Sequence, residues 1–346
     1  MTDSKLELTS DVRKLEEELD SEIRFRPLLP VAGMLVTVLL IALSLFHYYT
    51  AGFGLLRETT HRGIHMAFVL GLIFLVFPML KSSNKLEPRA TILKPLGISW
   101  LDWACAAAAV LGSLYIPYIF DDLAFRVGNP EREDVLMGTL LIVVLLEATR
   151  RSVGWPLPAI AVAMILYALY GRSFPGLLAH AGSNWSGVVN HLYLTSQGIY
   201  GIALGVVATY VFHYVLFGVL ATRVGLGKFF IDLASALAGR YAGGPAKVSI
   251  FGSALFGMIS GSSIANTVTV GSLTIPAMIR LGYQRHFAAA VESTASTGGQ
   301  ITPPIMGAAA FLMVEFLNTP YQTIILAAVV PAFMHFFGVL MQVHFE

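Results

Sequence analysis

Between Gly243 and Phe316 the sequence alternates apolar runs with two stretches that an unbroken membrane helix does not accommodate. Gly257–Asn266 reads GMISGSSIAN and Ser296–Pro304 reads STGGQITPP, so hydroxyls, amides, glycines and prolines interrupt otherwise apolar sequence. An apolar segment in lipid has to satisfy its own backbone hydrogen bonds, and the ordinary solution is a continuous helix. Glycine and proline runs work against one. Broken backbone at membrane depth is tolerated where it is buried in protein or lines a watery cavity. Two breaks close together are what a transport site needs. Freed carbonyls and hydroxyls hold a cation, and half-helix N-termini favour an anionic group.

Composition makes the membrane setting firm. The chain of 346 residues is 56% hydrophobic and 12% charged, against about 25% charged in a soluble domain. A net charge of +1, with no basic cluster interleaved with aromatics, gives no case for a nucleic-acid partner. The single cysteine, Cys105, excludes a disulfide framework and a Cys-based metal site. Without clustered His, Cys or carboxylates, transition-metal ligation is excluded as well. The expected fold class is an all-α integral membrane protein, a multi-span helical bundle in contact with the lipid bilayer.

In chain order, residues 1–27 form a polar, mixed-charge tail. Leu8, Val12, Leu15 and Leu19 fall at helical spacing, which fits an amphipathic helix on the cytoplasmic surface and a solvated tail equally. The tail is too long and too acidic for a secretory leader, so Leu28–Tyr48 reads as a retained span. Further spans are expected at His65–Leu80, Trp100–Phe120, Val135–Thr149, Trp155–Tyr170, Tyr200–Ala221 and Tyr321–Val343, several of them short of the ~20 residues that cross a bilayer. Lys81, Lys85, Arg89 and Lys94, then Arg150 and Arg151, then Arg223, Lys228, Arg240 and Lys247 mark one side of the membrane. A cytoplasmic N-terminus puts all three basic groups in the cytoplasm, although Arg57 and Arg62 weaken the first external loop. Trp185–Ser196 and Gly227–Arg240 mix apolar and polar faces and read as interfacial connectors. Within the core stretch a re-entrant helical hairpin is expected over 245–282 and an interrupted helix over 286–317. Pro303–Pro304 is expected in the first turn of its second half.

At these residues the chain resembles a known family. SGSSIAN, TIPAMIRLGY and AAAVESTASTGGQITPPIMGAAAFLMVEF are similar to the large membrane subunit of the TRAP (tripartite ATP-independent periplasmic) transporters. LLEATRRSVGWPLPAIAVAMILYALYG and the N-terminal spans resemble the fused permease form of the TAXI subclass. The resemblance implies a small-subunit-like region over 28–134 and the first half of a large-subunit-like transport region over 135–346. It implies a bacterial inner-membrane permease, multi-pass, for secondary active uptake of an organic anion such as a carboxylate. Uptake would be coupled to sodium and fed by a periplasmic solute-binding protein. The large subunit of that family has two inverted repeats enclosing one site, in an elevator-type carrier. This sequence contains one SGS…N block and one STGG…PP block. The expectation is therefore half a site, in a fragment or in a chain completed by a separate second-repeat chain. A truncated scaffold that does not transport is the alternative.

Carried over residue by residue, the resemblance puts sodium at Ser260, Gly261, Ser262, Ser263 and Asn266 of the hairpin tip and at Thr297, Gly298, Gly299 and Thr302 of the break. Hard cations favour such oxygen donors, by analogy with calcium sites. It makes Ser262, Asn266, Gln300, Pro303 and Pro304 candidates for the substrate. One serine or threonine in a membrane helix more often packs or bonds to its own helix. Two clusters, each beside a helix break, weigh the other way. Glu292, on the first half of the interrupted helix, reads as facing a cavity, orienting a ligand or binding a proton, and equally as snorkelling or forming a structural pair near the cytoplasmic end. His65, His213 and His335 read as packed imidazoles. The remote competitor is an intramembrane serine hydrolase using Gly-x-x-Ser-Gly at Gly257–Gly261, but that spacing is not a nucleophile elbow and His286 lies far from the tip. No enzyme is expected, and no cofactor beyond sodium as the coupling ion.

Overall fold

The computed structural model describes residues 25–54, 56–79 and 95–346. The surface helix or tail expected before Phe25, and the basic group Lys81, Lys85, Arg89 and Lys94, lie outside these residues. Among the described residues the regular structure is helical, and the chain divides into two units, Met1–Gly205 and Val206–Glu346.

Among the described residues six helices are long and apolar enough to cross a membrane: Pro30–Phe53, Glu58–Val76, Trp100–Tyr118, Pro156–Ser173, Ile202–Arg223 and Tyr321–Phe345. The protein is an all-α integral membrane protein. The first unit opens with α1 (Pro30–Phe53) and α2 (Glu58–Val76). Helix α2 starts seven residues before the expected His65. Glu58 in its first turn suits the positive end of the helix dipole, and His61, Gly63 and His65 are buried. The expected external loop therefore shrinks to a few residues. Arg62 becomes a helix residue that pairs with Glu58 and donates to the Tyr200 carbonyl at 2.5 Å. Its charge is neutralised locally, which is why it does not read as a loop charge.

Helix α3 (Trp100–Tyr118) and α4 (Phe120–Arg126) lead to α5 (Arg132–Ser152). The span expected at Val135–Thr149 lies in α5, which is not among the six because charged residues occupy both its ends. It begins with a capping box between Glu131 and Asp134. Helix α6 (Pro156–Tyr170) is followed by α7 (Trp185–Val189), which runs into a π-helical turn at Asn190–Leu194. This connector packs against its own unit. Tyr193 is fully buried and donates to the Gly112 carbonyl at 2.7 Å. Any Cβ on Gly138 would sit 2.8 Å from the Tyr193 ring.

Helix α8 (Ile202–Arg223) carries a π-helical turn at Val207–Val211, and the boundary between the units falls within it. In the second unit α9 (Leu226–Ala238) lays Ala234 and Ala238 against Val248. Then come α10 (Gly244–Ser260) and α11 (Ser263–Arg280), which pack side by side as a helical hairpin with Gly261 and Ser262 at its tip. Helix α12 (Arg285–Gly298) packs on both limbs. After a break come α13 (Ala308–Leu317) and α14 (Tyr321–Phe345). Two apolar clusters hold this unit. Ala246, Ile250, Met278, Ala288, Val291, Ala295 and Val343 pack at the open end of the hairpin, whereas Phe256, Ile259, Val270, Ile305, Met306 and Phe311 pack around its tip.

Candidate functional site

The hairpin tip is a tight turn made by sequence. Gly261 ends α10 in the left-handed region (φ 60°), where a side chain is disfavoured. Ser262 caps α11, its hydroxyl accepting the Ala265 N–H at 3.3 Å. The break in the second stretch is tighter than a simple interruption. Helix α12 ends at Gly298, a 3-10 turn covers Gly299–Ile301, and helix resumes at Ala308 behind Gly307. Pro303–Pro304 does not open the second half-helix. The Pro303–Pro304 peptide is cis, Met306 is left-handed (φ 57°), and the Gly307 N–H closes onto the Gln300 carbonyl at 2.7 Å. The prolines shape a turn, and the free N–H groups of α13 begin four residues past Pro304.

Tip and break meet directly, through glycine. A Cβ on Gly261 would overlap the Met306 carbonyl oxygen, and one on Gly257 would overlap the Gly299 Cα. Gly299 itself leaves only 3.0 Å between such a carbon and the Asn266 amide nitrogen. Across this contact Gln300 Nε2 donates to Ser263 Oγ at 3.1 Å. Tyr321 OH closes the far side, donating to the carbonyls of Pro304 and Ile305, both at 2.7 Å.

The sequence-derived residues thus fall into one small region, in different states. Asn266 is completely buried; its Nδ2 donates to the Ser253 carbonyl at 2.9 Å, while its Oδ1 has no hydrogen-bond partner. Ser260 Oγ, at the end of α10, is also buried without a partner. Ser262 and Ser263 are half-exposed and already engaged as acceptors. Thr297 and Thr302 spend their protons on their own chain, on the carbonyls of Ser293 (2.8 Å) and Gly298 (2.7 Å). Gln300 and Pro304 are exposed and Pro303 is half-buried.

Sequence reasoning left the strongest polar feature undecided. Glu292 on α12 is fully buried, and it accepts hydrogen bonds from hydroxyls on three helices. Ser253 and Ser296 reach Oε1, both at 3.0 Å; Ser249 reaches Oε2 at 2.7 Å and Thr274 reaches it closely. Ser249 with Ser253 on α10, and Glu292 with Ser296 on α12, are i,i+4 pairs. That spacing was the available signal. The histidines behave as packed groups: His335 bonds the Thr294 carbonyl at 2.9 Å, His213 the Thr209 carbonyl at 2.6 Å, and His65 pairs with His47 at 2.9 Å. His286 sits exposed in the first turn of α12, with that whole helix between it and the break.

The chain resembles known proteins. The family described as "Tripartite ATP-independent periplasmic transporter, DctM component" matches residues 140–346. The C4-dicarboxylate TRAP transporter large permease protein DctM of Vibrio cholerae is 30% identical over 152 residues, 42% of this chain and 34% of that protein. Its counterpart in Rhodobacter capsulatus is 36% identical over 91 residues, 26% of this chain and 21% of that protein. The isethionate TRAP transporter permease protein DctMQ of Oleidesulfovibrio alaskensis is 37% identical over 91 residues, 26% of this chain and 14% of that protein. The matched segments span about a third or less of these relatives. No solved structure matches the chain.

Proposed function

The chain belongs to the DctM component family of the tripartite ATP-independent periplasmic transporters, which are permeases and not enzymes, and from that premise we propose that its hairpin tip and helix break form half of a sodium-coupled site for a small organic anion. The observation that carries this is the pair of buried oxygens, Asn266 Oδ1 and Ser260 Oγ, that no donor satisfies. A buried acceptor without a partner costs about 1–3 kcal/mol. A cation that takes oxygen ligands removes that cost, and amide and hydroxyl oxygens suit a hard ion such as sodium. The hydroxyl oxygens of Ser262, Ser263, Thr297 and Thr302 keep lone pairs beside them, as do the carbonyls near Gly261, Gly298 and Gly299.

The anion would sit on the open side of the same contact, where Ser262, Gln300 and Pro303–Pro304 are accessible and α13 presents its N-terminus beyond Gly307. A carboxylate is the reading closest to the dicarboxylate relatives. Delivery by a periplasmic solute-binding protein, a cytoplasmic N-terminus, completion of the site by a second inverted repeat, and a fused arrangement of the TAXI type belong to the same proposal.

Thermal unfolding of the purified chain in detergent, in sodium against potassium, tests it. Wild type should be stabilised by sodium in particular, and Asn266→Ala should lose that response. Equal behaviour of wild type in the two salts overturns the sodium reading.

A further inference from the structure

The ligands proposed for sodium are all uncharged, so the ion's charge has to be met elsewhere. We propose that Glu292 meets it, as a fixed anion behind the hairpin tip that positions the site and raises its cation affinity without touching the ion. This rests on the sodium reading above.

Four hydroxyls surround the carboxylate, two on each oxygen: Ser253 and Ser296 on Oε1, Ser249 and Thr274 on Oε2. An ionised carboxylate is an acceptor with about four lone-pair sites, whereas a protonated one must also donate. Thr274 has a second acceptor within reach, the Val270 carbonyl at 3.1 Å; the other three hydroxyls point only to Glu292 among the described residues. Four hydroxyl donors, two on each oxygen, are the set that an ionised carboxylate accepts, and we take Glu292 in that form. Among the described residues no Lys, Arg or His pairs with it. A buried charge that is hydrogen-bonded but not ion-paired leaves a net field in its surroundings.

The cage is wired to the tip. Ser253 gives its hydroxyl to Glu292 and its carbonyl to Asn266 Nδ2, so the residue that holds the carboxylate also aims the open Asn266 Oδ1. Helix α11 comes close enough to share in it only because residue 271 is glycine: a Cβ there would lie 2.8 Å from Glu292 Cγ. Fixed dipoles and hydroxyls hold the charge in place, and a cation arriving at the tip meets a field already set up. A staple that merely ties three helices together would need the hydroxyls as much as the carboxylate. A charge needs the carboxylate alone.

Sodium titrations of thermal stability in the purified chain separate these roles, with Glu292→Gln and Ser249→Ala beside wild type. Glu292→Gln keeps size and removes charge, and should weaken the sodium midpoint about tenfold, the effect of one unit charge felt across a partly screened interior. Ser249→Ala removes one donor and keeps the charge; it should lower the unfolding temperature while leaving the sodium midpoint within about twofold. If both variants lose stability with unchanged midpoints, Glu292 is a staple and the proposal fails. A wild type with no sodium-specific response sinks the sodium reading and this role with it. A wild-type response that Glu292→Gln leaves intact sinks only the role of Glu292. Should Glu292→Gln not fold, Glu292→Asp decides: a midpoint kept within about threefold supports the charge, and a loss of tenfold or more overturns it.

Discussion

The two units bury charge in opposite ways. In the first, each buried carboxylate meets guanidinium groups. Asp102 accepts from Arg26 at 2.8 Å and from Arg151 at 2.6 Å, and these three side chains are nearly inaccessible; Arg151 also bonds the partly exposed Glu147. Asp134 is held by Arg126 at 3.1 Å, by Tyr115 at 2.7 Å and by the Glu131 N–H of its own capping box. In the second unit the one fully buried carboxylate, Glu292, has hydroxyls for partners and no ion pair among the described residues, and the buried oxygens of Asn266 and Ser260 have no hydrogen-bond partner. The first unit's ion pairs fix helices to one another, although Arg26 Nε and Arg151 Nη2 are left without a hydrogen-bond partner. A buried oxygen without a partner costs stability until something binds it.

The comparison breaks most visibly at Asp102. Asp102→Ala would leave the Arg26 and Arg151 guanidiniums buried without their shared counter-charge, and removing one partner of a buried pair costs about 3–5 kcal/mol. A large drop in unfolding temperature is expected, with the sodium-specific increment unchanged in whatever protein folds. If the increment disappeared while the fold survived, the first unit would be part of the ion site.

Next in size is Gly261→Ala. The new carbon would be placed in a left-handed conformation and against the Met306 carbonyl, so the tip and break must part. A cost of roughly 2 kcal/mol or more is expected. Unlike the change at Asp102, this one should also erase most of the sodium increment, because it separates the two halves of the proposed site. Paired thermal titrations in sodium and potassium would read both effects.

Much of this was legible beforehand because it rests on local chemistry. Runs of about twenty apolar residues gave the long helices, and Gly-Ser-Ser after an apolar run marked the hairpin tip. What escaped depended on partners distant in sequence. Helix α2 begins at Glu58 because Arg62 finds Glu58 and the Tyr200 carbonyl, and no local rule shows that carbonyl. Pro303–Pro304 looked like a helix start, since proline suits a first turn. The contact of Gly261 with Met306 and the closure of Gly307 onto Gln300 make it a turn instead. Glu292 stayed ambiguous because Ser249, Ser253 and Thr274 reach it from other helices, 18 to 43 residues away. A charge in an apolar helix announces itself; whether it is paired by arginine or caged by hydroxyls is decided by the packing of its neighbours.

The smallest expected effect is the sharpest test of where the ion site ends. Tyr321 sits at the start of α14, its ring stacked on Phe311 with centroids 4.8 Å apart and its hydroxyl shared by the Pro304 and Ile305 carbonyls. Tyr321→Phe keeps the ring and removes the one proton that pins the turn from behind. The net loss should be about 1 kcal/mol, the usual worth of one such bond. None of the open oxygens is touched, and tip and break remain joined through Gly257, Gly261 and Gly299. The sodium midpoint should therefore move by less than about threefold, measured by the same titration. A loss as complete as that expected for Asn266→Ala would mean that the ion is held chiefly by the carbonyls of the 302–307 turn. The hairpin tip would then be the wall of the site and not its floor.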